Sequence, residues 1–516
     1  MREPARQANF MTGTWLLSLA AFIAKILSAL YRIPLQNIVG DRGFFVYQQI
    51  YPFYGLASSL ALVGLPLFVS QVMAQDHTAQ QANFQRLWRF AVLWGLSSAL
   101  ILWCGASVLA QLMGDKNLAP LIKAMALFYA LAPLEGVLRG TFQGQLQMEP
   151  TAFSQITEQV VRVAVIILAA LAWRQKNLQL YSMGAWAHAG AGLGAVVSLA
   201  VLAFYCRKLV FSTTSSAGPG KILYRRFFKE GLALSIFGSL IILWQIVDTF
   251  NLLRLLQQGH YDQPQIIKGI YDRGQPLAQL VMVIGLSFAT SLMPQLGQSN
   301  LAMQQRIITV SCRLGLWLAT SATVGLVVLM PQINTLLFKD AAYSGPLALY
   351  CCAVIFWSYA TLMNIIMQAR HQSQGNVLLV CLAVVLKLLL NDLLIKPWGL
   401  WGASGATVIA SAFLALKLYQ RATADLKSIL WRNKYFPKLV LVAGGMAVVV
   451  GILLQVETFF WPTTRGYAFV EVVVNIIVGV LCVGIFSWHS QLLTIEEWHL
   501  VPLMKYLIKE KDDALR

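Results

Sequence analysis

GLPLFVSQ, residues 64–71, has a counterpart in SLMPQLGQ, residues 291–298, and the pair decides how the chain is organised. Each sets a proline in a leucine-containing run closed by glutamine, and Pro66 and Pro294 stand 228 residues apart. Arg162 follows Gln143 by 19 residues, Lys387 follows Gln368 by 19, and these two pairs lie 225 residues apart. Two nearly equal offsets mark two copies of one block. Working outward, apolar runs between polar or Gly/Pro punctuation place helices near 11–30, 44–74, 88–112, 118–144, 152–173 and 180–206 in the first block. The second block has helices near 230–254, 274–297, 307–331, 345–368, 374–395 and 400–420, and a last pair runs near 437–456 and 467–487. An even number of spans per block makes the repeats parallel, related about the membrane normal, with a cavity between two lobes.

The composition agrees. Of 516 residues, 58% are hydrophobic and 12% charged, whereas a soluble domain is about 25% charged. Fourteen spans of about 20 residues need about 280, and the remainder goes to short loops and ends. This excludes a water-soluble enzyme, a secreted scaffold and a receptor with a large ectodomain. The expected fold is all-α and integral to the membrane, with fourteen transmembrane helices. Residues 1–206 form the first lobe, 207–229 a basic cytoplasmic linker, 230–421 the second lobe, 422–490 the final helix pair and 491–516 an amphipathic cytoplasmic tail. The seven cysteines show no CxxC spacing and the six histidines no HxxxH pair, so no metal site and no cofactor is expected. The run from Met11 to Leu30 carries Lys25 and follows Arg2 and Arg6. It reads as a retained first span rather than a cleaved signal.

The 39 Lys and Arg against 21 Asp and Glu give a formal charge of +18, which in a membrane protein is first a topology signal and not a sign of nucleic acid. With the N-terminus cytoplasmic, Lys and Arg favour the cytoplasmic connections by roughly two to one. The densest clusters are Arg207, Lys208, Lys221, Arg225, Arg226 and Lys229, around the Ser/Gly/Pro stretch 212–220, and Lys417, Arg421, Lys427, Arg432, Lys434 and Lys438. Both termini are therefore expected in the cytoplasm. Thr494 to Glu497 makes a capping-box-like start to a surface-lying amphipathic helix over Leu500, Val501, Leu503, Met504, Leu507 and Ile508.

An ionised group at mid-membrane costs about 2.5–3.5 kcal/mol on insertion scales, so it persists where it is paired or faces a wet cavity. Glu135 with Arg139, and Glu158 with Arg162, are spaced i,i+4 and share a helix face. Lys25, Arg32 and Arg273 have no carboxylate at that spacing, which makes them the candidates for holding an anionic ligand. An arginine fork suits a diphosphate. Asp272 and Lys387 are further candidate cavity charges. Asp248, Asn391 and Asp392 supply oxygens of the kind that hold a small cation, with Lys387 as the competing occupant one turn away.

The stretch LYRIPLQNIVGDRGFFVYQQIYPFYGLASSLALVGLPLFVSQVMAQ, residues 30–75, resembles the first two helices of the SpoVB/YtgP-like branch of the MOP exporter superfamily, which includes polysaccharide-lipid exporters and MurJ-type lipid II flippases. IYDRGQPLAQLVMVIGLSFATSLMPQLGQ, residues 270–298, is similar to the MurJ eighth helix. The resemblance implies two six-helix lobes in a V around a cationic cavity, alternating access, and a final helix pair that can hold a polyprenyl tail. It implies diphosphate contacts for Arg32 and Arg273, and a loose likeness of Asp248, Asn391 and Asp392 to a family sodium site. Ile33, where MurJ proteins commonly carry Asp after the arginine, and Gly55 after Tyr51-Pro52 favour the SpoVB/YtgP branch.

The expected function is therefore a flippase, not an enzyme. It would move an undecaprenyl-diphosphate-linked glycan, lipid II or a related cell-wall or polysaccharide precursor, to the outer leaflet of a Gram-positive cell membrane. It would act as a monomer with sodium or proton coupling. The alternatives are a MATE-type drug/cation antiporter and a non-catalytic structural partner of a cell-envelope complex.

Overall fold

A computed structural model of the chain describes residues 3–75, 79–207, 209, 226–227, 236, 239–292, 301–370, 372–460 and 464–501. Pro294 with most of its repeat motif, Lys208, Lys221, Arg225, Lys229, the 212–220 stretch and the tail beyond Val501 lie outside the described residues.

Among the described residues the elements are helices joined by short turns. The first are α1 (Glu3–Leu30), α2 (Arg32–Gln48), α3 (Tyr51–Ser59), a π turn (Leu60–Gly64) and α4 (Leu65–Gln75). Next come α5 (Gln80–Leu112), α6 (Ala119–Gly144), α7 (Glu149–Arg174), α8 (Leu180–Cys206), α9 (Leu240–Gln258), α10 (Pro264–Asp272) and α11 (Gly274–Leu292). The series ends with α12 (Leu301–Val328), α13 (Met330–Phe338), α14 (Ser344–Ala369), α15 (Asn376–Arg421), α16 (Ala424–Trp431), α17 (Tyr435–Phe460), α18 (Arg465–His489) and α19 (Ile495–His499).

Among the described residues, eleven helical segments are long and apolar enough to cross a bilayer. Large apolar side chains such as Leu93, Ile101, Phe204 and Leu441 stay exposed along them, as lipid-facing surfaces do. The chain is a multi-pass membrane protein. Three of the fourteen expected spans are not counted separately among the described residues. Residues 44–74 are not one helix: Pro66 has no N–H to give and crowds the carbonyl four residues back, and a π turn just before it opens the ladder. The helix from Gly274 is described only to Leu292. The two spans expected over 374–420 run together as α15, broken only at Gly399 (φ 52°), two residues after Pro397.

Contacts divide the chain into two compact units, residues 1–276 with 384–403 and residues 277–383 with 404–516. In the first unit α7 packs along α8, α5 along α6, and α6 along α8, around a core that includes Leu35, Phe44, Phe45, Ile50, Met125 and Phe128. Two glycines shape the part that carries the charges. Gly40, at φ 67° and ψ −178°, interrupts α2 in a conformation that favours glycine and sets Asp41 just past the break. Gly269 lets α10 lie against α2, since an added Cβ would overlap the Asp41 carbonyl oxygen.

In the second unit α17 and α18 pack together, and α17 also packs on α12 through Leu439, Val442, Met446 and Val450. Arg313, on α12, is buried beneath the Tyr435 ring, 4.7 Å from its centroid. It donates to the Leu492 carbonyl and pairs with Glu497 at 3.3 Å. The expected capping box forms: the Thr494 hydroxyl accepts from the Glu497 N–H, and the Glu497 carboxylate accepts from the Thr494 N–H. Trp498 then meets Trp317 edge-on at 5.7 Å.

Replacing Gly269 by Ala should separate α10 from α2. We expect a destabilisation of about 1–3 kcal/mol, the usual range for forced overpacking, read as earlier unfolding of the detergent-solubilised protein than with a Gly466→Ala control, where a Cβ meets nothing.

Candidate functional site

The charges that the bilayer should exclude sort into paired and unpaired groups, and all of those bearing on the site belong to the first unit. Arg139 on α6 is fully buried and takes two carboxylates. Its Nη2 donates to Glu158 Oε2 at 2.8 Å and lies 3.6 Å from Glu135 Oε1, while Ser154 and Ser198 accept from the same guanidinium. Glu158 thus pairs across helices, from α7 to α6, rather than with Arg162 one turn along its own helix. The spacing argument pointed to Arg162. Arg162 is engaged instead by Gln159 and Ser28.

Arg273 is likewise paired. Its Nε and Nη2 donate to the two Asp41 oxygens at 2.9 and 2.6 Å, a bidentate fork across 232 residues of sequence. The expectation of an uncompensated Arg273 is corrected by this contact. Gln36 adds a third hydrogen bond to Asp41, at 2.9 Å. Beside it, Asp272 is taken by Lys268 at 3.0 Å and by the Gln275 amide at 2.8 Å, and Gln48 donates to Gln275 at 2.6 Å. Further along the same face Arg42 donates to Gln265, which itself donates to Asp115.

The oxygens expected to hold a small cation are also engaged. Lys387 Nζ lies 2.7 Å from Asp248 Oδ2 and 3.0 Å from the Trp244 carbonyl oxygen, and the Asn391 amide donates to Asp248 Oδ1 at 3.1 Å. Asp392 is not part of this group. One residue further round α15, it is exposed and meets Lys396 at 3.4 Å. No group of three or more His, Cys, Asp or Glu side chains suited to a metal occurs among the described residues.

Two arginines stand apart. Arg32, in the first turn of α2, is fully buried, and none of its three guanidinium nitrogens has a hydrogen-bond partner among the described residues. Its guanidinium lies 3.8 Å from the Tyr51 ring centroid and 6.0 Å from that of Tyr31. Arg162, on α7, also reaches Tyr31, 5.1 Å from its centroid, and lies 4.1 Å from that of Tyr54. Its hydrogen bonds go to neutral acceptors, the Gln159 amide oxygen at 2.7 Å and the Ser28 hydroxyl at 3.2 Å. Tyr31 and Tyr47 share a hydroxyl contact of 2.7 Å, and His188 stacks on Tyr47. Lys25, nearly two turns before Arg32, is exposed on α1.

Tyrosine faces attract a guanidinium by about 0.5–2 kcal/mol. A buried donor left unbonded costs about 1–3 kcal/mol, so the rings do not replace a counter-anion. The tyrosines went unread in the sequence. Tyr47, Tyr51 and Tyr54 sit at i, i+4 and i+7, a helical stripe that was there to be seen. Asp41 and Lys268, the partners of Arg273 and Asp272, were also missed. Only the second had a local signal, its i,i+4 spacing.

These arginines and tyrosines lie inside a bundle of membrane-spanning helices, which makes the chain a polytopic membrane protein. A family model described as polysaccharide biosynthesis protein matches residues 10–300. The chain is 35% identical to an uncharacterised membrane protein, YabM, of Bacillus subtilis strain 168, across 96% of each chain. It is 25% identical to the lipid II flippase MurJ of the same organism, across 92% of this chain and 93% of that one. Among solved structures, a lipid II flippase MurJ in an inward closed conformation superposes with a TM-score of 0.70 at 14% identity, covering 92% of this chain and 99% of the other. The chain belongs to the polysaccharide biosynthesis protein family and is MurJ-like in fold.

Removing one partner of a buried ion pair strands the other, at about 3–5 kcal/mol. Arg139→Leu should lose stability on that scale because it leaves two carboxylates without a cation. Glu135→Gln should lose far less, since neither Glu135 oxygen makes a hydrogen bond. Comparison of the two unfolding curves checks the order, and equal losses would mean that Glu135 and Glu158 share Arg139 evenly.

Proposed function

We propose that this protein is a flippase for a lipid-linked glycan, with an undecaprenyl-diphosphate-linked cell-wall or polysaccharide precursor such as lipid II as cargo. The observation that carries the reading is Arg32: a buried guanidinium with all three nitrogens unbonded, beside a second arginine whose partners are all neutral. A diphosphate supplies the missing acceptors, and its head group cannot cross hydrocarbon unaided. A polyprenyl tail stays in lipid throughout. Relatives named for lipid II flipping, and a family named for polysaccharide biosynthesis, support the same class of cargo.

In this reading Arg32 is the anchor and Arg273 joins it when the fork to Asp41 opens. Lys25, already exposed, offers a first contact to an approaching anion. Fourteen spans, two six-helix lobes rocking about the site, and cytoplasmic termini complete the proposal. The Bacillus relatives support a Gram-positive cell membrane as its place. An inside-negative potential draws an empty, positively charged site back toward the cytoplasm, which supplies a driving force without a cofactor. A cationic-drug antiporter is disfavoured because unneutralised arginines repel its cargo.

The test is replacement of the native lipid II flippase, by depletion, with this chain. Wild type should restore growth. Arg32→Ala and Arg273→Ala, inserted to equal level, should reduce complementation by at least tenfold in plating efficiency. Failure of inserted wild type would assign a different glycolipid, and full rescue by Arg32→Ala would remove the anion site.

A further inference from the structure

Asp248, Asn391 and Lys387 form a closed group to which the proposed diphosphate site assigns no role. Asp248 and Lys387 sit on α9 and α15, and both are fully buried, as is Asn391. The ammonium is held by one carboxylate oxygen and one main-chain carbonyl oxygen, at 2.7 and 3.0 Å. The second carboxylate oxygen is held by Asn391, whose own side-chain oxygen has no hydrogen-bond partner. The Tyr271 hydroxyl approaches Asp248 Oδ2 at 3.4 Å. The nearest other charges, Lys268 and Asp272, are closed on each other at 3.0 Å, and the exposed Asp392–Lys396 pair is separate.

A carboxylate, a main-chain carbonyl and a carboxamide around one compact positive charge are the donor set of an alkali-cation site. Here the charge is a side chain. The pair is neutral as it stands, and an added sodium ion would leave a net positive charge among buried side chains. We propose that Lys387 is a tethered counter-cation: the Asp248 pocket takes no inorganic cation while Lys387 is present, and becomes an alkali-cation site when its ammonium is removed. Whatever the cargo, this protein then completes its cycle without an ion bound at Asp248, and the sodium coupling implied by the loose resemblance does not run through these residues.

The test compares melting of the purified full-length protein in sodium, potassium and choline chloride at equal ionic strength. Wild type should melt at the same temperature in all three. Lys387→Ala should melt several degrees lower in choline chloride and recover saturably with sodium or potassium. Lys387→Met, which fills the space with an apolar chain, should not recover. If Lys387→Ala is obtained only when purified in sodium or potassium chloride, that rescue supports the proposal. A saturable, cation-specific rise in wild type overturns it. So does Lys387→Ala with no alkali-specific recovery while Lys387→Met is obtained folded.

Discussion

A guanidinium sealed in a helical bundle without an anion is the constraint around which the first unit is arranged. Its burial is unfavourable, and the tyrosine faces offset only part of the loss. The surroundings must therefore hold it there. The short α2, beginning one residue after Tyr31, fixes Arg32 at its first turn, while the Tyr47, Tyr51 and Tyr54 stripe and α7 wall in the two cations. A fold that tolerates this arrangement carries an unfavourable group whose cost the anion proposed above would offset.

The contrast with the other buried cations of the first unit gives the site its definition. Arg139, Arg273, Lys268 and Lys387 each meet a carboxylate at 3.0 Å or less. Arg32 and Arg162 meet none among the described residues. Formal charge alone does not separate these groups, and burial alone does not either, since all six are buried. Only the identity of the facing atoms does. Arg139, Arg273 and Lys387 tie helices together, Lys268 pairs within α10, and the two unpaired arginines share the Tyr31 ring.

Most of the helices could be read from the chain because apolar runs and their interruptions are local properties. So could the Thr494 capping box, and the presence of charge within the spans. What could not be read was which charges meet. Asp41 and Arg273 are 232 residues apart, beyond any spacing rule. Glu158 had two arginines within reach and one of them, Arg162, at the textless advantage of a single helical turn; interhelical packing gave it to Arg139 instead. Asp392 and Asn391 are neighbours in sequence but about 100° apart around a helix, so only one could face Asp248. The break at Gly40 and the π turn before Pro66 moved helix ends in ways that hydropathy does not register.

The fastening of Arg313 carries a practical consequence for anyone handling the protein. The oxygens that meet this buried guanidinium come from Leu492 and Glu497, so a truncation that removes residues 492–498 strips a cation on α12 of those partners and uncovers Trp317. Affinity tags and fluorescent fusions belong after Val501, where they leave this clasp whole.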